Sequence, residues 1–230
     1  MTAPLVPPAS LASLVDATLL RPDATVAEIV ALCTEAVELG AYAVCVSPTR
    51  VRLAIDAMDC LPQTLPVAAV CGFPSGAHLP AVKALEAREA VRAGANEIDV
   101  VIDQGHAADG NWSAVESELT AVRAEVPGVL KVILETALLT PVGIVAGCRV
   151  AIAAGADFVK TSTGFSAAGG ATVEAVAALR AAVGPALGVK ASGGIRTREQ
   201  AEAMVTAGAS RLGLSALRPV LAPQGNGTAV

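Results

Sequence analysis

The sequence has few of the residues from which metal and nucleic-acid sites are usually built. It contains only two histidines, His78 and His106, and no H-x-x-H or H-E-x-x-H spacing joins them, so we do not expect a histidine-built metal site. The formal net charge is −5, and no local cluster of lysine or arginine offsets it, which argues against a nucleic-acid partner. Aromatic residues make up only 2% of the chain, so we expect an aliphatic, alanine-rich core rather than an aromatic ligand cage.

The chain also lacks the marks of a secreted or membrane protein. Its five cysteines are odd in number and form no C-x-x-C pair, so we expect free thiols in a reducing cytoplasm. The N-terminal segment has no basic region before an apolar one, so no signal peptide is expected. No apolar run approaches the roughly 20 residues that a membrane-spanning helix needs. These absences together predict a cytoplasmic protein that does not contact a membrane.

What the sequence does contain is one repeated pattern of a short apolar strand, a turn and an amphipathic helix. With 53% hydrophobic and 16% charged residues, the chain can bury a large core, and we expect a single domain over 1–230. Within that domain, 1–10 is expected to be a lead-in and 222–230 a flexible tail. The strands are predicted at 13–17, 42–46, 67–71, 96–102, 129–134, 157–161, 187–191 and 211–213. The helices are predicted near 25–39, 48–58, 79–93, 112–125, 141–154, 171–183 and 197–207, with a short one at 215–221.

Eight strands that alternate with helices predict a closed (β/α)8 TIM barrel in the α/β class. The alternative is a doubly wound open sheet, but no G-x-G-x-x-G follows the first strand. In barrels of this kind the active site lies at the carboxyl ends of the strands. The residues at those ends are therefore the candidates for function.

A lysine stands at the end of the sixth predicted strand. Lys160 follows the apolar residues Phe158 and Val159, and three hydroxyl residues come directly after it. A charged amine in an apolar strand is unfavourable unless it is paired, exposed or deprotonated. Because this strand is expected to be buried, Lys160 lies at its mouth or has a lowered pKa. Both conditions suit a Schiff-base nucleophile, since a neutral amine attacks a carbonyl carbon.

A second lysine, Lys190, stands on the seventh predicted strand. Two ammonium groups at one depth on adjacent strands destabilise each other unless one of them is neutral. The arrangement would lower the pKa of one amine and make it nucleophilic near neutral pH.

Acidic residues are predicted inside the barrel as well. The alternation of side chains along 97–102 places Glu97 and Asp99 on the face opposite the aliphatic residues, and the same alternation turns Lys131 and Glu135 inward. We interpret Glu97 and Lys131 as a structural buried pair. Asp99 has either the same structural role or moves protons in an aldol step.

Glycines follow the last strands at Gly169, Gly170, Gly193, Gly194 and Gly213. They are either ordinary loop glycines or, with the short helix expected at 215–221, the phosphate pocket that many barrels build from backbone N–H groups. Cys45, at the end of the second strand, is interpreted as a small buried residue or as part of the pocket wall.

Seven segments resemble the deoxyribose-phosphate aldolase family, and the likeness runs from about residue 11 to 216. They are D-A-T-L-L-R-P-D-A-T at 16–25, A-V-C-V-S-P at 43–48, G-F-P-S-G-A at 72–77, E-I-D-V-V-I at 97–102, L-K-V-I-L-E-T at 130–136, G-A-D-F-V-K-T-S-T-G-F at 155–165 and V-K-A-S-G-G-I-R-T at 189–197. The resemblance implies that Lys160 is the Schiff-base lysine and Asp99 the proton-relay carboxylate. It implies that Lys190 tunes Lys160 and is itself held by Asp16.

The resemblance also implies a reaction: cleavage of 2-deoxy-D-ribose 5-phosphate to D-glyceraldehyde 3-phosphate and acetaldehyde, without metal or organic cofactor. The broken bond is expected to be C3–C4, with Asp99 removing the C3 hydroxyl proton through a water. The implied contacts to the substrate and its phosphate are Thr18, Cys45, Thr163, Gly170, Gly193, Gly194, Gly213 and Ser215. A homodimer is expected from the resemblance alone.

The chain departs from the family pattern at several positions. Ala17 stands where many members have histidine, and Leu214 and Leu217 are expected to make the last loop more apolar. The only tyrosine is Tyr42, so no tyrosine of the C-terminal tail can assist a protonation step. Two alternatives remain open, a Schiff-base aldolase for a different phosphorylated sugar and a barrel kept as a binding or scaffold protein.

Overall fold

The computed structural model describes residues 10–222, which form eight parallel strands closed into a barrel in the order β1 to β8. The strands are β1 Val15–Leu19, β2 Ala43–Val46, β3 Val67–Cys71, β4 Glu97–Val101, β5 Val129–Ile133, β6 Phe158–Lys160, β7 Gly188–Ser192 and β8 Arg211–Leu214. The helices are α1 Val26–Glu38, α2 Val51–Met58, α3 Pro80–Arg92, α4 Gln104–Ala108, α5 Trp112–Glu125, α6 Pro141–Ala153, α7 Val173–Val183, α8 Arg198–Thr206 and α9 Arg218–Leu221. The predicted TIM barrel is confirmed.

The two faces of each strand have different surroundings. On β4, Ile98 and Val100 belong to the hydrophobic core between the strands and the helices, together with Ile102 just beyond the strand. Glu97 and Asp99 are also buried, but they are absent from that core and lie on the opposite face. The alternation predicted for this strand therefore holds, and it places carboxylates inside the barrel.

The ends of two helices follow their sequence signals. Thr197 accepts a hydrogen bond from the backbone N–H of Gln200, whose side chain in turn accepts from the N–H of Thr197, as expected of a capping box. Thr25 and Glu28 form the same arrangement at the start of α1. These caps fix where each helix begins after the loop that leaves the barrel rim.

Three boundaries differ from the predictions. The chain at Leu11–Leu14 forms a 3₁₀ turn, so β1 begins later and runs to Leu19. The helix α4 was not predicted; Asp103 caps it by accepting from the N–H of His106, which therefore lies on a short helix and not in an open loop. The last helix covers only Arg218–Leu221. The expected lead-in at 1–10 and tail at 222–230 lie, but for one residue each, outside the described residues.

No helix in the described range 10–222 is both long enough and apolar enough to cross a bilayer.

A buried ion pair connects α3 to α5 outside the barrel. The amine of Lys83 donates to Glu118 Oε2 at 2.8 Å and to the carbonyl oxygen of Val101 at 2.8 Å, and both side chains are almost fully buried. Glu118 Oε1 accepts from the N–H of Asp103 at 2.7 Å. Burial raises the pKa of Glu118 despite the neighbouring ammonium, so the attraction does not fully offset desolvation.

Replacing Lys83 with methionine is expected to lower the free energy of unfolding by about 3–5 kcal/mol, because Glu118 would be left buried without its counter-ion. The double variant Lys83→Met/Glu118→Leu should recover most of that loss, because no buried charge remains. Urea unfolding of the three proteins measures both effects. A single variant as stable as the parent would show that the pair does not matter for folding.

Candidate active site

Two lysines occupy the same level inside the barrel. Lys160 on β6 and Lys190 on β7 are partners in the strand register, and their side chains are 3% and 0% exposed. The structure therefore places two amines at one depth on adjacent strands, as the sequence predicted.

Asp99 on β4 joins the two lysines. Its Oδ2 accepts hydrogen bonds from Nζ of Lys160 at 2.9 Å and from Nζ of Lys190 at 2.8 Å. Its Oδ1 accepts from Nζ of Lys131 at 2.5 Å. A single buried carboxylate thus contacts three amines.

Further ion pairs lie next to these contacts. Asp16 accepts from Lys190 through Oδ2 and from Arg211 through Oδ1, the latter at 2.8 Å. Lys131 lies 2.6 Å from Glu97 Oε2, and Arg211 lies 3.3 Å from the same atom. The expected pair of Glu97 and Lys131 is present, but Lys131 also contacts Asp99 and so belongs to the same network.

We call this network the ionic cluster; its members are Asp16, Glu97, Asp99, Lys131, Lys160, Lys190 and Arg211. It contains three carboxylates and four bases. With every group ionised the cluster carries one net positive charge in a buried setting, and the loss of one proton from one base makes it neutral. Since an uncompensated buried charge is unfavourable, the cluster favours one neutral base.

The base with a lowered pKa is Lys160. Burial lowers its pKa; the carboxylate of Asp99 opposes this effect, and the ammonium of Lys190 adds to it. Burial also disfavours the charged forms of Lys131, Lys190 and Arg211, yet adjacent carboxylates outweigh it and raise their pKa values. The environments of the two facing lysines therefore shift their pKa values in opposite directions.

Asp99 remains a carboxylate. Burial alone would raise its pKa, but the amines of Lys131, Lys160 and Lys190 outweigh burial and hold the pKa well below its usual range. Asp16 also has a lowered pKa, because Lys190, Lys131 and Arg211 together outweigh the burial that would raise it.

Lys160 lines a cavity of about 380 Å³ at the carboxyl ends of the strands. The wall includes three basic side chains, those of Lys160, Arg21 and Arg196, and no acidic one. The remaining wall residues are Thr18, Leu19, Leu20, Thr163, Gly164, Phe165, Ser192, Gly193, Gly194, Ile195, Gly213 and Ser215. Arg21 also pairs with Asp23 and Glu28, so its charge is partly offset. A cavity of this size with basic side chains in its wall still suits a small anionic molecule.

Six of the eight implied substrate contacts line this cavity: Thr18, Thr163, Gly193, Gly194, Gly213 and Ser215. Cys45 and Gly170 do not. Cys45 is fully buried with Leu20, Ala68 and Val70, and burial raises the pKa of its thiol.

The absence of a side chain at two of the glycines has a clear reason. A Cβ on Gly170 would lie 2.2 Å from the carbonyl oxygen of Gly193, so glycine lets the loop after β6 pack onto the loop after β7. A Cβ on Gly213 would lie 3.3 Å from Cε of Lys190 and 3.0 Å from Cβ of Ser192, so glycine leaves room for the second lysine.

Leu214 and Leu217, which were expected to make the last loop more apolar, do not line the cavity. Both side chains are buried in the hydrophobic core, and Ser215 lines the cavity from this strand end.

Arg211 was not predicted as a site residue; it connects two carboxylates of the cluster and lies 3.6 Å over the ring centre of Tyr42. A signal was available: on β8, alternation groups Arg211 with Gly213 on one face and leaves Leu212 for the hydrophobic face.

Fold and site together define a parallel-barrel enzyme with a buried lysine of lowered pKa at a cavity with basic side chains in its wall, an arrangement that suits an aldolase. A family model described as "DeoC/LacD family aldolase" matches residues 11–222, and the chain belongs to this family.

Relatives with assigned names support this membership. A protein of Frankia alni named deoxyribose-phosphate aldolase is 57% identical over 221 residues, which cover 93% of this chain and 97% of the relative. A protein of Kocuria rhizophila with the same name is 55% identical over 215 residues, 93% of this chain and 96% of the relative. Among solved structures, a deoxyribose phosphate aldolase of Aeropyrum pernix, described as tetrameric, matches with a TM-score of 0.83 at 34% identity over 92% of this chain and 89% of that one.

Proposed function

We propose that the protein is a class I aldolase that cleaves 2-deoxy-D-ribose 5-phosphate reversibly to D-glyceraldehyde 3-phosphate and acetaldehyde. The observation that carries the proposal is Lys160, a buried amine of lowered pKa that opens onto a cavity with a basic wall. The names of the relatives point to the same substrate. We propose one aldolase domain over 1–230, which the closure of the barrel between β1 and β8 supports.

The chemistry begins at Lys160. Its neutral amine adds to the C1 aldehyde to give a carbinolamine, which takes up one proton from solvent and loses water to give a protonated imine. The C3 hydroxyl then loses its proton, the C3–O electrons form a carbonyl, and the pair of the breaking bond moves to C2 as an enamine. The carbon count corrects the expected position of cleavage: acetaldehyde has two carbons, so the bond that breaks is C2–C3, not C3–C4.

Asp99 would direct the proton away from the C3 hydroxyl. Because its pKa is well below the usual range, it serves better as the acceptor that orients a water than as the final holder of the proton. Protonation of the enamine at C2 and hydrolysis of the imine then release acetaldehyde and restore the amine.

The phosphate would lie among Gly193, Gly194 and Ser215, with Arg196 supplying positive charge; Arg21 lines the same cavity but also pairs with Asp23 and Glu28. Gly193 and Gly194 both adopt a left-handed φ, 85° and 82°, which glycine reaches without strain. Backbone N–H groups of such turns are common phosphate ligands.

Acetaldehyde release from 2-deoxy-D-ribose 5-phosphate, followed with an aldehyde-reducing coupling enzyme, tests the substrate. Borohydride reduction in the presence of substrate, followed by peptide mass mapping, tests the nucleophile. We expect release of acetaldehyde and a reduced adduct on Lys160. An adduct on another lysine, or none, would remove the assignment.

The two alternative functions would give different results in these assays. Turnover of another phosphorylated sugar, with no acetaldehyde from deoxyribose 5-phosphate, would favour an aldolase of different specificity. Binding of sugar phosphates without turnover would favour a scaffold protein, although the lysines and the carboxylate that the chemistry requires are all present.

We further propose a homodimer. An exposed apolar stripe on and before α6, formed by Leu138, Val142, Val145 and Ile152, supports a contact between two copies. Val142→Glu should then shift the sedimentation coefficient to that of a monomer, whereas Val26→Glu on α1 should not.

We also propose a cytoplasmic location, which the five free thiols support.

A further inference from the structure

Glu135 has a backbone conformation that its side chain disfavours. Its φ is 52° and its ψ 62°, and it is the one non-glycine residue of 10–222 with a left-handed φ. Such a conformation persists only where the surrounding structure holds it, and it is found more often at functional sites. Glu135 lies between the end of β5 and a 3₁₀ turn at Thr136–Leu138, on the same rim of the barrel as Lys160.

The carboxylate of Glu135 is buried and holds one residue of the cavity wall. It is 1% exposed, and its Oε2 accepts from both the N–H of Thr163 at 3.2 Å and the hydroxyl of Thr163 at 2.5 Å. Its Oε1 has no hydrogen-bond partner among the described residues. A buried polar group that is only half satisfied is unfavourable for stability alone, which again points to a functional reason.

These contacts fix the direction of the Thr163 hydroxyl. A carboxylate can only accept, so the proton of the hydroxyl points to Glu135 and not into the cavity. The hydroxyl oxygen of Thr163 also accepts a hydrogen bond from the N–H of Phe165 at 3.1 Å. What Thr163 can offer to a molecule in the cavity is therefore a lone pair.

We propose that Glu135 is a positioning residue that makes Thr163 a dedicated acceptor for a hydroxyl group of the substrate. The inference rests on the proposed function and specifies how the cavity orients its substrate. A sugar hydroxyl can donate to Thr163, whereas an ionised phosphate has few protons to give at neutral pH. Thr163 therefore favours the hydroxylated carbon chain near Lys160 and leaves the phosphate to the glycine loops.

Glu135 also affects Phe165 through its contact with Thr163. The ring of Phe165 contacts the ring of Phe73 edge to face, with centroids 5.2 Å apart, and it separates the main cavity from two smaller neighbouring cavities. Since the N–H of Phe165 donates to Thr163, a loss of Glu135 would loosen both the acceptor and this wall.

The test compares Glu135→Gly, Glu135→Gln and Thr163→Val. Glycine adopts a left-handed φ without strain, so Glu135→Gly removes the carboxylate while the backbone conformation remains accessible. We expect Glu135→Gly and Thr163→Val each to lower kcat/KM for 2-deoxy-D-ribose 5-phosphate about 10- to 100-fold, the effect of leaving one buried hydrogen-bond partner unsatisfied. Glu135→Gln should retain at least about a third, because its amide oxygen can still accept from Thr163.

Two further readouts separate positioning from a merely structural role. The double variant Glu135→Gly/Thr163→Val should have about the same kcat/KM as the less active of the two single variants, because both substitutions act through one hydroxyl. Borohydride trapping of acetaldehyde on Lys160 should stay within about threefold of the parent in all variants, because acetaldehyde has no hydroxyl to be oriented.

Additive losses, equal losses in trapping, or an unchanged kcat/KM in Glu135→Gly would each overturn the inference. A parent protein that neither traps acetaldehyde nor releases it would instead refute the proposed function. The two failures are therefore distinguishable.

Discussion

Lys160→Met is expected to lower kcat for acetaldehyde release on the order of 10⁴-fold, equivalent to about 5 kcal/mol of transition-state stabilisation. The physical reason is that no other described base on this cavity combines burial with a lowered pKa. The variant should also give no reduced adduct after borohydride treatment. Stability should change little, since methionine has a similar shape and Asp99 keeps Lys131 and Lys190 as partners.

A matched control separates chemistry from folding. Lys83→Met is the same substitution at another fully buried lysine, on the outside of the barrel. It should weaken folding and leave the rate per folded molecule unchanged, which is the opposite of the result expected for Lys160→Met. If both variants lose activity in proportion to their stability, Lys160 has no chemical role.

Lys190→Met is expected to lower kcat/KM at pH 7 by about 10²- to 10³-fold and to make the rate increase about tenfold per pH unit above pH 7. Two effects act in the same direction. Removing the Lys190 ammonium takes away a positive charge that lowers the pKa of Lys160, and it gives Asp99 one donor fewer, so Asp99 pairs more strongly with Lys160. Both raise the pKa of Lys160, so the reactive amine becomes scarcer at neutral pH and returns as pH rises.

The pH–rate profiles of Lys190→Met and Lys131→Met, measured side by side, test the direction of this change in the pKa of Lys160. Lys131→Met also removes one positive charge from the ionic cluster, but Lys131 contacts Asp99 through the oxygen that faces away from the two lysines. The acidic limb of the pH–rate profile should therefore move to higher pH by less in Lys131→Met than in Lys190→Met. An acid limb that moves to lower pH in Lys190→Met would contradict the assignment of Lys190 as the charge that depresses the pKa of Lys160.

The barrel and the positions of its two facing lysines could be predicted because they depend on local patterns. Alternation along β4 was sufficient to turn Asp99 inward, and two lysines at matching positions of neighbouring strands implied one depth. Burial and the proximity of Lys190 were both expected to lower the pKa of Lys160, but their relative size could not be predicted. Burial is the larger effect, and it depends on what the whole barrel places around the amine.

The other features of the site depend on contacts between residues that the fold brings together, and no local sequence pattern reveals such contacts. Arg211 reaches Asp16 across 195 residues of sequence. Gly170 was expected to contact phosphate, but its closest neighbour is the backbone of Gly193, an approach that only the folded loops reveal. The left-handed φ of Glu135 likewise has no signature in a sequence that reads as an ordinary strand end.

The ionic cluster also bears on how the chain is synthesised. Asp16 lies on the first strand, while Lys190 and Arg211, which it binds, lie on the last two. Since a chain emerges from the ribosome N-terminus first, Lys160 leaves it before β7, which carries Lys190, and β8 have been made. Under the proposed function, the nascent chain therefore carries an exposed lysine with an ordinary pKa, and the amine becomes reactive only when the eighth strand closes against the first.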